Sequence, residues 1–215
     1  TTEIYTLSLH DALPIWLRLS KSALILSYSP LEFVGTEDFP IVVESVDSTG
    51  QGIVVINAGA SSVLDYVVFK NLSNPSQQGW QLTGAVSFCE SPVQILHSHF
   101  IGNRSEDALN IIRSTFRIDS SVFSRTSSDA FDGDFVKGII TNSCFDSLGN
   151  DAIDVSGSAI QISDVVIDAA GDKGLSNGEV SEMSVRNVEI KNSEIAVASK
   201  DISDIEIKKI GRAHV

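Results

Sequence analysis

Residues 115–136 (TFRIDSSVFSRTSSDAFDGDFV), 137–158 (KGIITNSCFDSLGNDAIDVSGS) and 159–180 (AIQISDVVIDAAGDKGLSNGEV) are successive copies of one 22-residue unit. Residues 92–114 precede them with one residue more, and residues 181–201 follow with one fewer. Residues 61–74 open an earlier unit that lengthens into PSQQGWQLTGAVSFCES. In register, Phe69, Phe100, Phe123, Phe145, Ile167 and Ile190 share one apolar column. Leu109, Phe131, Ile153 and Leu175 share a second, and Ile118, Ile140, Ile162 and Val185 a third. The apolar residues come in short alternating runs such as FRI and AIDV, set between Ser, Asn, Asp and Gly. That is the period of a strand, 2, and not the 3.6 of a helix. Three short strands and three turns fit in one unit, at roughly 3.3 Å per strand residue. A unit this small cannot bury its own apolar face, so it must stack on its neighbours. The expected fold is therefore an all-β parallel solenoid whose like columns lie about 4.8 Å apart. A propeller blade needs ~40 residues per repeat, and a leucine-rich repeat needs a Leu/Asn signature that this sequence lacks.

The two ends stand apart from the repeat. Residues 1–15 (TTEIYTLSLHDALPI) resemble, codon for codon, a translated short-read sequencing adapter, and residues 210–215 (IGRAHV) resemble the opposite adapter. On that reading residues 16–209 form one solenoid domain of a metagenomic fragment, and both flanks are non-native. His10 and Asp11, a tempting catalytic dyad, and His214 then carry no functional weight. A targeting signal would lie outside the fragment, so its absence says nothing.

The chain carries a formal charge of −13, which becomes −12 when Glu3, Asp11 and Arg212 of the flanks are left out. Scattered Lys and Arg on an acidic chain make a poor partner for nucleic acid or an anionic membrane surface. No apolar run reaches the ~18 residues of a spanning helix; SALILSY at 22–28 is too short. Cys89 and Cys144 have no CxxC spacing and read as two free thiols in preference to a disulfide.

The repeat, together with SDAFD, GNDAIDVSGS and GDKGLSNGE, resembles the right-handed parallel β-helix domains of the pectate-lyase-like superfamily over about residues 31–207. Within that superfamily it is most similar to bacterial envelope and secreted proteins. The resemblance implies a right-handed coil, an extracellular, periplasmic or cell-surface location, and a polysaccharide or cell-envelope partner. It also implies lyase, epimerase or glycoside hydrolase chemistry, if there is catalysis. The superfamily's catalytic Arg and Lys motifs have no residue-by-residue counterpart in this chain.

The stretch DAFDGDF (129–135) concentrates the polar chemistry. In register, Asp129 stacks between Asp107 and Asp151 and then meets Lys173. Asp132 stacks between Asn110 and Asp154 and then meets Ser176. Asp134 lies over Ile112 and under Ser156. With Leu109, Phe131 and Ile153 pointing inward, alternation sends Asn110, Asp132 and Asp154 outward, and Asp134 with them. Asp107, Asp129 and Asp151 fall in the inward phase, where unpaired carboxylates are too costly to bury. They are expected in the turn before the strand, accepting bonds from backbone N–H groups two residues on. Two carboxylates ~4.8 Å apart repel by about 0.9 kcal/mol in water and about 3.5 kcal/mol at a dielectric of 20. In a groove the row calls for a proton, a base or a cation. Oxygen donors from Asp129, Asp132, Asp134, Asp151 and Asp154 suit Ca2+.

Asp132 and Asp154 are the candidate acid–base pair, since paired carboxylates serve general acid–base work and glycoside hydrolysis. Lys173, in GDKGLSNGE, and Lys200, expected beside Glu179, add cations near the same face. Lys173 is the third catalytic candidate, while Asn110, Lys200 and Trp80 are candidate substrate contacts. Trp80 lies in the long unit, where it is either a sugar platform or turn packing. His97 and His99 alternate onto one face without a third ligand and read as a solvated strand. Two functions fit: a β-helix that binds or modifies an acidic polysaccharide with Ca2+, or a non-enzymatic structural or adhesion solenoid of a larger surface protein.

Overall fold

The structure is a computed structural model and describes residues 7–9 and 13–210. His10, Asp11 and His214 lie outside the described residues. All regular structure among the described residues is β, and every pairing between rungs is parallel. Three strands per rung build three faces. Sheet I stacks eight strands: Ile25–Ser27, Ile53–Ile56, Gly84–Cys89, Asp107–Ile112, Asp129–Asp134, Ile153–Ser156, Lys173–Gly178 and Ile195–Ser199. Sheet II includes Leu31–Val34, Ser62–Asp65, Val93–Leu96, Thr115–Asp119 and Lys137–Thr141. Sheet III includes Ile41–Ser45, Val67–Lys70, His99–Ile101, Val122–Ser124 and Cys144–Leu148. The long strands Ala159–Ala170 and Glu182–Lys191 run through the corner and join sheets II and III. Leu7–Leu9, inside the adapter-like segment, pairs with Leu31–Phe33.

The sequence register holds strand by strand. Asn110 pairs with Asp132 and Thr115 with Lys137, 22 residues apart. The step is 23 from Val93 to Phe116 and from Ala159 to Glu182. It widens to 31 from Ser62 to Val93, because that rung carries the small hairpin Ser76–Gln77 with Trp80–Gln81.

The three apolar columns are the core. Rings of Phe69, Phe100, Phe123 and Phe145 stack with centroids 4.9, 4.5 and 4.8 Å apart, and Ile167 and Ile190 continue the pile. Rung pitch and the separation of stacked rings nearly coincide, so one residue type repeated at one position packs without a void. A second, polar spine runs beside it. The Ser121 hydroxyl accepts the Ser98 N–H at 3.2 Å, and the Ser143 hydroxyl accepts the Ser121 N–H at 3.1 Å. Each hydroxyl also donates to a carbonyl two residues back. At another corner Ser158, Ser181 and Ser203 repeat this link. Buried turn N–H groups that no ladder reaches are thereby satisfied. Cys89 and Cys144 are free, partly buried thiols, each pushed up by burial.

Candidate functional site: the carboxylate row of sheet I

The outer side of sheet I carries, rung by rung, Val54, Ser87, Asn110, Asp132, Asp154, Ser176 and Ala198. The row falls where alternation places it, but not in open solvent. Ser87, Asn110 and Ser176 are buried, and Asp132, Asp134 and Asp154 are partly buried. Short side chains stacked at rung pitch leave little room for water between them, so facing away from the core and being solvated are different things here.

Burial sets the electrostatics. Desolvation pushes the Asp132 carboxyl up to about 9, helped by Asp107, Asp134, Asp154 and Asp129. The Asn110 side-chain N–H donates to Asp132 Oδ2 at 2.8 Å, while Asn110 Oδ1 is buried without a partner. Asp107, only 2% exposed, is pushed up to about 7 by burial, against the opposing Thr83 hydroxyl. Its Oδ2 also has no partner. Asp134 is raised by burial and partly relieved by Asn110.

The column Asp107, Asp129, Asp151 differs from expectation in one respect. Asp107 and Asp129 are the first residues of their strands, and only Asp151 precedes one. Asp129 and Asp151 do serve backbone N–H groups, but those of the next rung, whereas Asp107 has the Thr83 hydroxyl instead. Asp129 Oδ1 accepts from the Asp151 N–H at 2.9 Å and from Asn150 at 2.7 Å, and Asp151 Oδ1 accepts from the Lys173 N–H at 2.8 Å. A parallel coil presents a fresh N–H one rung away. Burial still raises Asp129, to about 6, and Asp151.

Lys173 Nζ pairs with Asp172 and lies 3.5 Å from Asp151 Oδ1. The Asp172 bond raises its pKa, so it sits in the column as a fixed cation. Lys200 is exposed. Ser199 pairs with Asn177, which sets Lys200 over Gly178 and leaves Glu179 opposite Asp201, one residue from the expected register. Trp80 is an exposed residue of the hairpin, paired with Gln77. Among the described residues, no group of three or more His, Cys, Asp or Glu side chains is gathered in a metal-holding arrangement.

Two features had no clear trace in the sequence. His97 Nδ1 lies 2.8 Å from Asp65 Oδ1, and its ring stacks on Tyr66 at 4.6 Å. The signal was a 31-residue register that brings Tyr66 under His97, visible only once the long rung is aligned. A cleft of about 700 Å³ crosses sheet II past Ile139, Gln161, Ser184 and Glu206, on a different face from the carboxylates.

No protein-family model and no curated protein matches the sequence. Among solved structures, the chain is similar to the catalytic unit of a thermostable GH87 alpha-1,3-glucanase from Streptomyces thermodiastaticus, at 12% identity and TM-score 0.48. That match covers 90% of this chain and 44% of the glucanase, so the chain spans less than half of its length. It is also similar to pectate lyase Pel9A, at 12% identity and TM-score 0.44, over 94% of this chain and 68% of that one. A third match, at 10% identity and TM-score 0.31, is the plasmid-mediated fluoroquinolone resistance protein QnrB1, over 90% of this chain and 92% of that one.

Proposed function

We propose that this chain is an extracellular or envelope β-helix domain that engages an acidic polysaccharide along the outer side of sheet I, with Ca2+ neutralising the carboxylate row. The observation that carries the reading is the register Asn110, Asp132, Asp154, Ser176, flanked by Asp107, Asp129 and Asp134. Polar groups repeated at about 4.8 Å along a straight face complement a linear polymer that repeats its own groups. The donor set fits a hard cation: it is all oxygen, and Asn110 Oδ1 and Asp107 Oδ2 are buried acceptors without partners. A bound ion would have to draw these oxygens together, since they are not grouped around one point. In a catalytic version, Asp132, held protonated at neutral pH, is the acid and Asp154 its partner base. Lys173 then holds the column in place.

The test is retardation of the protein in gels containing alginate, pectate, glycosaminoglycan or neutral glucan, with and without Ca2+. Ca2+-dependent retardation by an acidic polymer, lost in Asp132→Asn with Asp154→Asn, is the expected result. Ultraviolet absorbance from an unsaturated product would add lyase action. No retardation by any polymer sinks the reading.

A structural reading has one observation in its favour. Asn142 bonds Asp119, Asn187 bonds Asp164 and Asn192 bonds Asp168, each between adjacent rungs. Carboxylates at several corners are thus satisfied by Asn, as in a solenoid that serves as a stalk. Absence of polymer binding, with full thermal stability in chelator, is the outcome that selects it.

A further inference from the structure

At the corner between sheets I and II each of five rungs turns the chain in the left-handed region, at Glu90, Arg113, Phe135, Gly157 and Glu179, with φ of 49, 49, 55, 60 and 56°, the last followed by Val180 at 63°. Phe is an unusual choice there, because a bulky side chain gains nothing from positive φ. Phe135 is 53% exposed, so core packing does not explain it. Its ring is held on two sides. A Cβ built on Gly157 would come within 2.6 Å of the ring, so only glycine leaves room on that side. On the other, the Arg113 guanidinium carbon lies 5.3 Å from the ring centroid.

The result is a parked arginine. Among the described residues Arg113 makes no ion pair and no side-chain hydrogen bond, so its planar fork of N–H donors is uncommitted, although its charge partly offsets the upward push on Asp134. Lys137 is exposed and likewise unpaired. Both line a cleft of about 520 Å³ together with Glu90, Ser114, Thr115 and Phe135. The Ser114 hydroxyl is buried and has no partner. Two unpaired cations against the single carboxylate of Glu90, with an unsatisfied hydroxyl, give this cleft a net positive lining on a chain of charge −13. Arg suits bidentate recognition of a planar oxyanion, and stacking on an aromatic ring fixes the fork before the ligand arrives.

We propose that this cleft is an oxyanion-binding site that takes a carboxylate or sulfate group, with Arg113 as the bidentate donor, Lys137 as the second charge and the Ser114 hydroxyl as an auxiliary donor. Phe135 is a positioning residue that acts through Arg113. The site does not depend on the polysaccharide reading, because a free inorganic oxyanion would fill it as well as one carried on a glycan.

The experiment follows backbone amide shifts of the full chain by NMR, titrating sodium sulfate or a galacturonate oligomer against chloride at matched ionic strength. Saturable shifts confined to residues 113–115 and 135–137 are expected, weakened at least tenfold in Arg113→Gln with Lys137→Gln. Arg113→Lys with Lys137→Arg, which keeps both charges but moves the fork, should recover part of the affinity, which a purely structural role would not produce. Saturation by sulfate itself assigns a free oxyanion, and saturation by the oligomer alone assigns one carried on a chain. Shifts that never saturate with either ligand, or that are unchanged in the double Gln variant, overturn the site. The Asp132→Asn, Asp154→Asn protein should bind as wild type, which separates failure of this site from failure of the carboxylate row.

Discussion

Asn110 donates its side-chain N–H to Asp132 Oδ2 at 2.8 Å, across one rung, and keeps its own buried Oδ1 unpaired. A buried acceptor without a donor is costly, by about 1–3 kcal/mol. Here it sits next to a carboxyl that burial holds in its protonated form. The pair therefore places an unmet demand for positive charge at the centre of the row. A proton on Asp132 meets it in part, and a cation would meet it fully.

The first consequence is pH dependence. Asp132, Asp107 and Asp129 are raised to about 9, 7 and 6, against about 3.9 for an unfolded Asp. Between those values the folded chain binds more protons than the unfolded one, so stability falls as pH rises. The stabilisation is complete below pH ~4 and is lost as pH climbs through 6, 7 and 9. Asp119, lowered to about 2, works in the opposite sense but only at more acid pH. Urea denaturation from pH 5 to 9 should show a loss of about 1.4 kcal/mol per pH unit for each proton retained. Asp132→Asn, which keeps an acceptor for Asn110, should flatten the alkaline part of the curve. A stability that rises from pH 6 to 8 would contradict the burial of this cluster.

A second consequence concerns cations. At pH 8, millimolar Ca2+ should raise the melting temperature, because an ion that binds only the folded state stabilises it by RT ln(1 + [L]/Kd). At one hundred times Kd that is about 2.7 kcal/mol. The gain should shrink at pH 5, where Asp107 and Asp129 are protonated as well as Asp132, and vanish in Asp132→Asn with Asp134→Asn. Equal melting temperatures in Ca2+ and chelator at pH 8 would remove the ion from the function.

The coil is legible in the sequence because apolar columns repeat residue types from unit to unit. Phe100, Phe123 and Phe145 align on steps of 23 and 22 residues, and Phe69 joins them once the long unit is allowed a step of 31. The side of the strand that Asp132 takes is legible too, since alternation is a property of the backbone. Burial is not, because it depends on how closely the neighbouring rungs cover short side chains. Nor are the partners of Asp129, because the N–H it accepts belongs to Asp151, 22 residues away. Phe135 is hidden for a different reason: nothing in its type marks a left-handed corner. The serine spine is legible in principle, since Ser98, Ser121 and Ser143 fall one per unit, but serine reads locally as turn punctuation.

The inter-rung bond from the Asp151 N–H makes Asp129 a structural test of the column. Asp129→Ala strips the acceptor from the Asp151 N–H and from Asn150, and should cost about 1–3 kcal/mol. Asp129→Asn retains an oxygen for the backbone and should cost less, while easing repulsion above pH 7. If both variants were equally destabilised, the carboxylate charge itself, and not its backbone bond, would be what holds the rung.

The Phe stack and the serine spine can be separated by a matched pair of substitutions on one rung. Phe123 lies between Phe100 and Phe145, fully buried, and Phe123→Ala would leave a cavity closed above and below by rings. About 3–5 kcal/mol should be lost in denaturant unfolding. Ser121→Ala removes much less volume but strands the buried Ser98 N–H, for a loss of about 1–3 kcal/mol. Because both residues lie on the same rung, additivity should fail in the double variant. The rung loosened by the first substitution lets water reach the N–H stranded by the second. The double variant should therefore lose less than the sum of the two, and a strictly additive result would mean that the apolar and polar spines hold the coil independently.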